Sequence, residues 1–183
     1  MPGARRKLVL VDGLGLSDFA PAPEFGRALM AFVEGPSEET HDQLWRKCAF
    51  DLDRLQQRMG DEWHNLKAYN LDRANDRSLG PAQQTLMGSF GIPSIPDQEL
   101  ARIPTPTSLI WGRYDLAAPL LVAQRAAERY GWQLQVIENA ADDPAMEQPE
   151  AFVEALRGAF GQDGRVLVGE HRLDVDALDD LAG

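Results

Sequence analysis

The chain has 183 residues, of which 44% are hydrophobic, and its formal net charge at pH 7 is -11. This length predicts one domain, and the hydrophobic content is too high for a disordered chain. The excess of carboxylates would repel phosphate backbones and anionic lipid, so we expect neither a nucleic-acid partner nor a membrane partner. Charges or prolines interrupt every apolar stretch before it reaches the length of a membrane span. A cytoplasmic location is therefore the expectation.

The metal-binding and thiol side chains are few. Cys48 is the one cysteine, which excludes a disulfide framework and a cysteine zinc site, and its apolar neighbours at helical spacing predict a packed core thiol. None of the histidines, His41, His64 and His171, has a metal-binding partner four residues on. We predict no metal site and no cofactor, and packing or surface roles for His41 and His64.

The first two thirds of the chain predict one strand and a helical block. Leu8–Val11 is a short apolar run that ends at Asp12, which is typical of a buried parallel strand. Glycines and prolines then indicate a loop. Apolar residues at helical spacing predict four helices between residues 24 and 91, at about 24–34, 37–55, 61–74 and 81–90.

The remainder alternates between strands and helices. The strands are predicted at residues 108–112 and 133–137, the second an edge strand, and the helices at 119–130 and 149–160. This order predicts a parallel sheet covered on both faces. Three strands alone make a poor parallel sheet, so we expect a missing segment before residue 8. The tail carries a short strand at residues 165–168 and a weakly helical, acidic stretch at residues 174–180.

Residues 103–152 carry a family resemblance. The segment IPTPTSLIWGRYDLAAP, the strand at residues 133–137 and the motif Glu147-Gln148-Pro149 resemble the last third of an α/β-hydrolase. KLVLVDGLG resembles the sixth strand of that family, and the helical block matches its lid in position and length. The resemblance implies a partial α/β-hydrolase fold with three parallel strands, flanking helices and a lid. The expected divisions are 1–20, strand and loop; 21–100, lid; 101–161, core; and 162–183, a tail of unknown role.

The resemblance also assigns site residues. Asp115 matches the acid of the family's catalytic triad, which is the favoured assignment; the alternative is a cap for a helix that starts near Leu116. Asp142 occupies the position of the triad histidine. A carboxylate replaces imidazole as a base near pH 7 only with an unusual pKa shift. Asp12 lies where some members place the acid, and its alternative role is turn bonds at the strand end.

The nucleophile of the family has no counterpart here. The sequence contains no Gly-x-Ser-x-Gly motif, and neither Ser17 nor Ser89 lies in a suitable context. In the family this motif follows the fifth strand, which would precede residue 1. We therefore expect a chain that is truncated at its N-terminus, catalytically incomplete alone, and derived from a parent that hydrolyses an ester-like or related bond.

A second interpretation is a pseudoenzyme that binds without catalysis. It would hold a small apolar or ester-like molecule under the lid, or pair with a partner or a second copy through the exposed first strand. Trp111 and Trp45 are the candidate substrate contacts, and packing in the core is the alternative for both.

Overall fold

A computed structural model describes residues 6–161, 165–168 and 171–174. Strands β1 (Leu8–Val11), β2 (Thr107–Gly112) and β3 (Gln133–Ile137) form a parallel sheet in the order β1-β2-β3. Leu109 of β2 is in register with Leu10 on one side and Leu134 on the other. The three predicted strands and the parallel sheet are thus confirmed.

Burial on both faces of the sheet explains why the sequence of the central strand β2 is continuously apolar. All of its six residues are buried. Leu109 and Trp111 pack against helix α7 (Leu120–Tyr130), and Ile110 packs on the opposite face against helix α9 (Pro149–Phe160). Since each fully buried large apolar side chain contributes about 1.5–3 kcal/mol, this two-faced burial dominates the stability of the sheet.

Six helices and a π-helical turn connect β1 to β2. They are α1 (Pro23–Glu34), α2 (Glu38–Cys48), α3 (Leu52–Met59), α4 (Asp61–Asn75), α5 (Gly80–Leu86), the π-helical turn Met87–Gly91 and α6 (Asp97–Leu100). The prediction of one helix over residues 37–55 is wrong, because the chain leaves the helical conformation between α2 and α3. Ala49 is extended there, and the Asp51 side chain starts α3 by accepting the N–H of Arg54.

The cap, which we define as residues 21–100, has an aromatic core of its own. The rings of Trp45 and Trp63 meet edge to face with centroids 5.0 Å apart. His41 is fully buried beside both tryptophans and Phe32. Packing is therefore the observed role of His41.

Cys48 belongs to a second cluster that joins the cap to the core. Its buried members are Phe25, Leu44, Cys48 and Ala117. The first three come from the cap, and Ala117 comes from the loop after β2. This burial confirms the packed-thiol prediction and raises the pKa of Cys48 far above its usual value.

The final segment contains a short helix and a hairpin. Helix α8 (Pro144–Glu147) precedes α9, and β4 (Arg165–Val168) pairs antiparallel with β5 (His171–Asp174). The strand predicted at 165–168 is confirmed, whereas β5 was not predicted. The weak helix predicted at 174–180 lies outside the described residues except for its first. The division of the chain at residues 20, 100 and 161 stays a prediction. None of the described helices is both long and apolar enough to span a bilayer.

Candidate active site

Asp12 links the carboxyl ends of β1 and β2. It follows β1 with a positive φ of 38°, a conformation that Asp tolerates better than most residues. Its Oδ1 accepts the backbone N–H of Gly112 at 2.9 Å. Its Oδ2 is buried and has no hydrogen-bond partner among the described residues.

Asp115 is held by the turn that follows β2. One oxygen, Oδ1, accepts the backbone N–H groups of Ala117 and Ala118 at 2.7 and 2.8 Å. The indole Nε1 of Trp111 donates to the carbonyl of Ala118 at 2.7 Å, which fixes the same turn. Asp115 is only 4% exposed, and its Oδ2 has no partner among the described residues. The side chain thus caps a turn with one oxygen and leaves the other free for a donor.

Asp142 lies on the loop after β3, which approaches β2 closely. The loop passes so near Gly112 that a Cβ there would lie 1.9 Å from the carbonyl oxygen of Ala141. The backbone N–H of Asp142 donates to the carbonyl of Cys48 at 2.9 Å, so the cap also holds this loop. These contacts bring Asp142 to the same edge of the sheet as Asp12 and Asp115.

Glu147 is a site residue to which sequence reasoning assigned no role. Its carboxylate accepts the N–H of Ala141 at 2.7 Å and the N–H of Phe50 at 2.6 Å. Glu147 is 5% exposed and joins the loop after β3 to the cap. The Glu-x-Pro motif was the available signal, but a motif does not reveal a contact across 97 residues.

Burial and mutual repulsion raise the pKa values of this carboxyl cluster, defined as Asp12, Asp115, Asp142, Asp143 and Glu147. Desolvation is the largest cause at every member. It raises the pKa of Asp12 to about 8, that of Asp142 to about 7 and that of Asp115 to about 6. Hydrogen bonds from backbone N–H groups oppose the rise at Asp12 and Asp115, and neighbouring carboxylates increase it. The raised pKa values bring the titration of Asp12 and Asp142 close to neutral pH.

The two tryptophan candidates, Trp111 and Trp45, pack in hydrophobic clusters. Trp111 is fully buried in the sheet, and Trp45 packs in the aromatic core of the cap. His64 is exposed on α4, and His171 lies in β5. None of residues 6–161 presents an imidazole to the free oxygen of Asp115. A substrate role for Trp111 or Trp45 stays a prediction.

Two cavities border the site. One of about 580 Å³ lies between the loop at residues 13–20 and α7, and its lining includes Leu16, Phe19 and Val122. A smaller one of about 250 Å³ lies under Phe50 beside Glu147. Within the described part of the chain, no three Asp, Glu, His or Cys side chains are arranged to hold a metal ion.

A parallel sheet with acidic loops at its carboxyl edge and a helical insertion between its first two strands defines an α/β protein whose sheet edge is the place where such folds bind ligands. The model of the alpha/beta hydrolase family matches residues 2–155. The chain belongs to the α/β-hydrolase family.

Solved structures share this fold at low sequence identity. The 2-hydroxy-6-oxo-6-phenylhexa-2,4-dienoate hydrolase of Rhodococcus sp. strain RHA1 is 22% identical, with a TM-score of 0.67 over 84% of this chain and 54% of its own. The meta-cleavage product hydrolase of Pseudomonas fluorescens IP01 is 20% identical, with a TM-score of 0.64 over 85% and 56%. A serine hydrolase of Cycloclasticus zankles is 23% identical, with a TM-score of 0.63 over 80% and 52%.

The chain thus spans about half the length of the solved structures that it matches. No protein of curated function matches it.

Proposed function

We propose that this chain is the cap and acid-bearing portion of an α/β-hydrolase and that it is catalytically incomplete by itself. The observation that carries the proposal is the free oxygen of Asp115. In a hydrolase triad the acid orients a histidine by accepting its N–H, and the histidine then moves the proton of the nucleophile. Here the residue at the histidine position is Asp142, which has no N–H to offer from its side chain.

The absence of a nucleophile motif supports the same conclusion. Acyl transfer in this family needs a serine on a strained turn between a strand and a helix, with backbone donors nearby for the oxyanion. The 183 residues contain no Gly-x-Ser-x-Gly, and both Ser17 and Ser89 are exposed. A lone acid, even if correctly placed, cannot by itself assemble a proton relay around an attacking atom.

For the parent activity we propose hydrolysis of an ester-like or related bond. The solved structures that share the fold are named as hydrolases, which supports this class of reaction. The cap lies between β1 and β2 in the chain and docks on the loops that carry Asp115 and Asp142. Such a position favours a small substrate held between the cap and the sheet edge.

Turnover of a short p-nitrophenyl ester tests the incomplete-enzyme proposal. We expect the purified chain to give no rate above background, and we expect the same of Asp142→His, because restoring the imidazole leaves the nucleophile missing. Ester hydrolysis that disappears in Asp115→Asn, with folding retained by circular dichroism, would refute the proposal.

A second candidate is a non-catalytic module that pairs through β1. Among the described strands, β1 pairs with β2 alone, so one of its edges is free. Val11 at its end is 38% exposed and Leu14 in the following loop is 42% exposed. An open strand edge beside exposed apolar side chains favours pairing with another strand, including that of a second copy.

A further inference from the structure

The cavity of about 580 Å³ is a cleft along one face of helix α7. Leu121, Arg125 and Arg129 lie on that face, since they recur every four positions along the helix. The loop at residues 13–20 forms the opposite wall. Pockets of this volume accommodate small organic molecules, and no side chain of the carboxyl cluster lines this one. The cleft is therefore a candidate ligand site with a lining of its own.

Most of the lining of this cleft is apolar. Leu121 on α7 is 51% exposed and Leu14 on the loop is 42% exposed, so both walls present uncovered hydrophobic surface. The larger apolar side chains of the lining are Leu14, Leu16, Phe19, Pro119, Leu121 and Val122. Removing such surface from water is favourable. A ligand that fits this cleft would therefore carry an apolar body.

The polar side chains of the loop wall are already engaged. The carboxylate of Asp18 accepts the N–H and the hydroxyl of Ser94 at 2.9 and 2.8 Å. The hydroxyl of Ser17 donates to the backbone carbonyl of Asp18 at 3.2 Å. Neither hydroxyl is therefore left as a free donor for a ligand.

The helix wall differs, because Arg125 has no partner there. Asp97 accepts the hydroxyl of Tyr130 at 2.7 Å and pairs with the guanidinium of Arg129. Arg125 lies one turn before Arg129 and has no ion pair or side-chain hydrogen bond within residues 6–161. A guanidinium keeps its charge at neutral pH, and its fork of N–H donors matches a carboxylate through paired hydrogen bonds. Among the polar side chains of the described lining, Arg125 is the one left for a ligand.

We propose that this cleft binds a small amphipathic carboxylate, with the apolar body between α7 and the loop at residues 13–20 and the carboxylate on the guanidinium of Arg125. An organic cation fits less well, because the carboxylates of Asp18 and Asp97 already hold donors. A neutral apolar molecule would cover the walls but leave the guanidinium without an acceptor.

Calorimetry with phenylbutyrate, its neutral isostere phenylbutyramide, and acetate tests the proposal at about pH 7. We expect phenylbutyrate to bind at least about tenfold more tightly than the amide, because only the carboxylate gains charge-assisted hydrogen bonds. Acetate should bind at least about tenfold more weakly than phenylbutyrate, because it has the charge but almost no apolar body. The three ligands thus separate the contribution of the head group from that of the apolar walls.

Matched variants locate the site. Arg125→Gln should weaken phenylbutyrate binding by about tenfold and leave phenylbutyramide binding unchanged, whereas Arg125→Lys should keep part of the preference. Leu121→Ser should weaken both ligands by about threefold, because it removes apolar surface from the wall. Arg73→Gln is the control, since Arg73 is exposed on α4 and lines neither cavity. Thermal unfolding confirms that each variant is folded.

Equal affinity for phenylbutyrate and phenylbutyramide, unchanged binding in Arg125→Gln, acetate binding as tight as that of phenylbutyrate, or no saturable binding of phenylbutyrate would each overturn the proposal. Because the titration requires no turnover, its outcome is independent of whether the chain hydrolyses esters.

Discussion

Gly112 is the residue at which the sheet and the candidate site meet. It ends β2, donates its N–H to Asp12 and lets the loop that carries Asp142 pass within contact distance. A glycine is needed here for space and not for a positive φ, since only the absence of a side chain admits the carbonyl of Ala141. The positions of Asp12 and Asp142 therefore both depend on this one residue.

Gly112→Ala should lower the free energy of unfolding by about 2–4 kcal/mol, because the new methyl group would overlap a backbone carbonyl that cannot rotate away. Urea denaturation measures the loss. Gly80→Ala is the matched control, since a Cβ at Gly80 meets nothing within 4 Å. Equal effects of the two substitutions would contradict the packing at Gly112.

Asp142 makes stability depend on pH. Burial raises its folded pKa to about 7 from an ordinary value of 3.8, so the folded state binds more protons than the unfolded state between these values. Stability contributed by the protonated carboxyl is present at low pH and is lost as the pH rises through about 7. From about pH 5 to pH 8, the free energy of unfolding of the wild-type chain should fall by roughly 2 kcal/mol more than that of Asp142→Asn.

Denaturation at both pH values, with Asp72→Asn as the control, checks this difference. His41 acts in the opposite sense, because burial lowers its pKa and acid then destabilises the cap. That effect is present in wild type and variant alike and cancels in the comparison. Parallel loss in wild type and Asp142→Asn would show that Asp142 ionises normally.

The family resemblance singled out Asp12, Asp115 and Asp142, and they lie at one edge of the sheet because the carboxyl ends of parallel strands meet there. Nothing in the sequence assigns a role to Glu147, because its contact with Phe50 joins segments 97 residues apart in the chain. A single sequence carries no signal for such a contact, since proximity along the chain and proximity in space are unrelated at that separation.

At the scale of elements, the break between α2 and α3 is the feature that joins the cap to the core. The apolar spacing from Leu44 to Leu55 predicts one continuous helix. The chain instead opens at Ala49, because the N–H of Phe50 binds Glu147 and the carbonyl of Cys48 binds the N–H of Asp142. Tertiary hydrogen bonds outweigh a weak local preference here.

Glu147→Ala should destabilise the chain by about 2–4 kcal/mol, because it leaves the N–H groups of Ala141 and Phe50 without their acceptor. Glu147→Gln should cost less, since the amide oxygen still accepts one of them. The exposed control Glu150→Ala should be nearly neutral. Chemical denaturation ranks the three variants, and a Glu147→Ala chain as stable as Glu150→Ala would exclude this junction.

At the scale of the whole molecule, β1 is an edge strand of the described sheet, as β3 is, and its outer edge pairs with no other described strand. A strand edge exposes unpaired N–H and C=O groups that pair readily with another strand. Val11 at the end of β1 and Leu14 in the loop that follows are exposed, so pairing would also bury apolar surface. Self-association is the simplest outcome when no other partner is present.

Val11→Lys should suppress concentration-dependent self-association, because a charged side chain at a strand edge opposes pairing. Sedimentation velocity across a wide range of protein concentration measures the effect. Val33→Lys, which changes a 61% exposed residue on α1, is the control and should self-associate like wild type. A wild-type chain that stays monomeric throughout would remove the self-association proposal.

The sequence by itself determined the strands of the sheet and their parallel direction, because continuous apolar runs alternating with helices allow few other arrangements. The motifs of residues 103–152 indicated the family, and the assignment of Asp115 and Asp142 to its acid and histidine positions stays a prediction. Only the tertiary structure decided that Asp142 is half-buried with its pKa raised to about 7, and that Glu147 joins the cap to the core. The physical reason is that desolvation and long-range hydrogen bonds depend on how segments pack, whereas strand and helix preferences depend on neighbours along the chain.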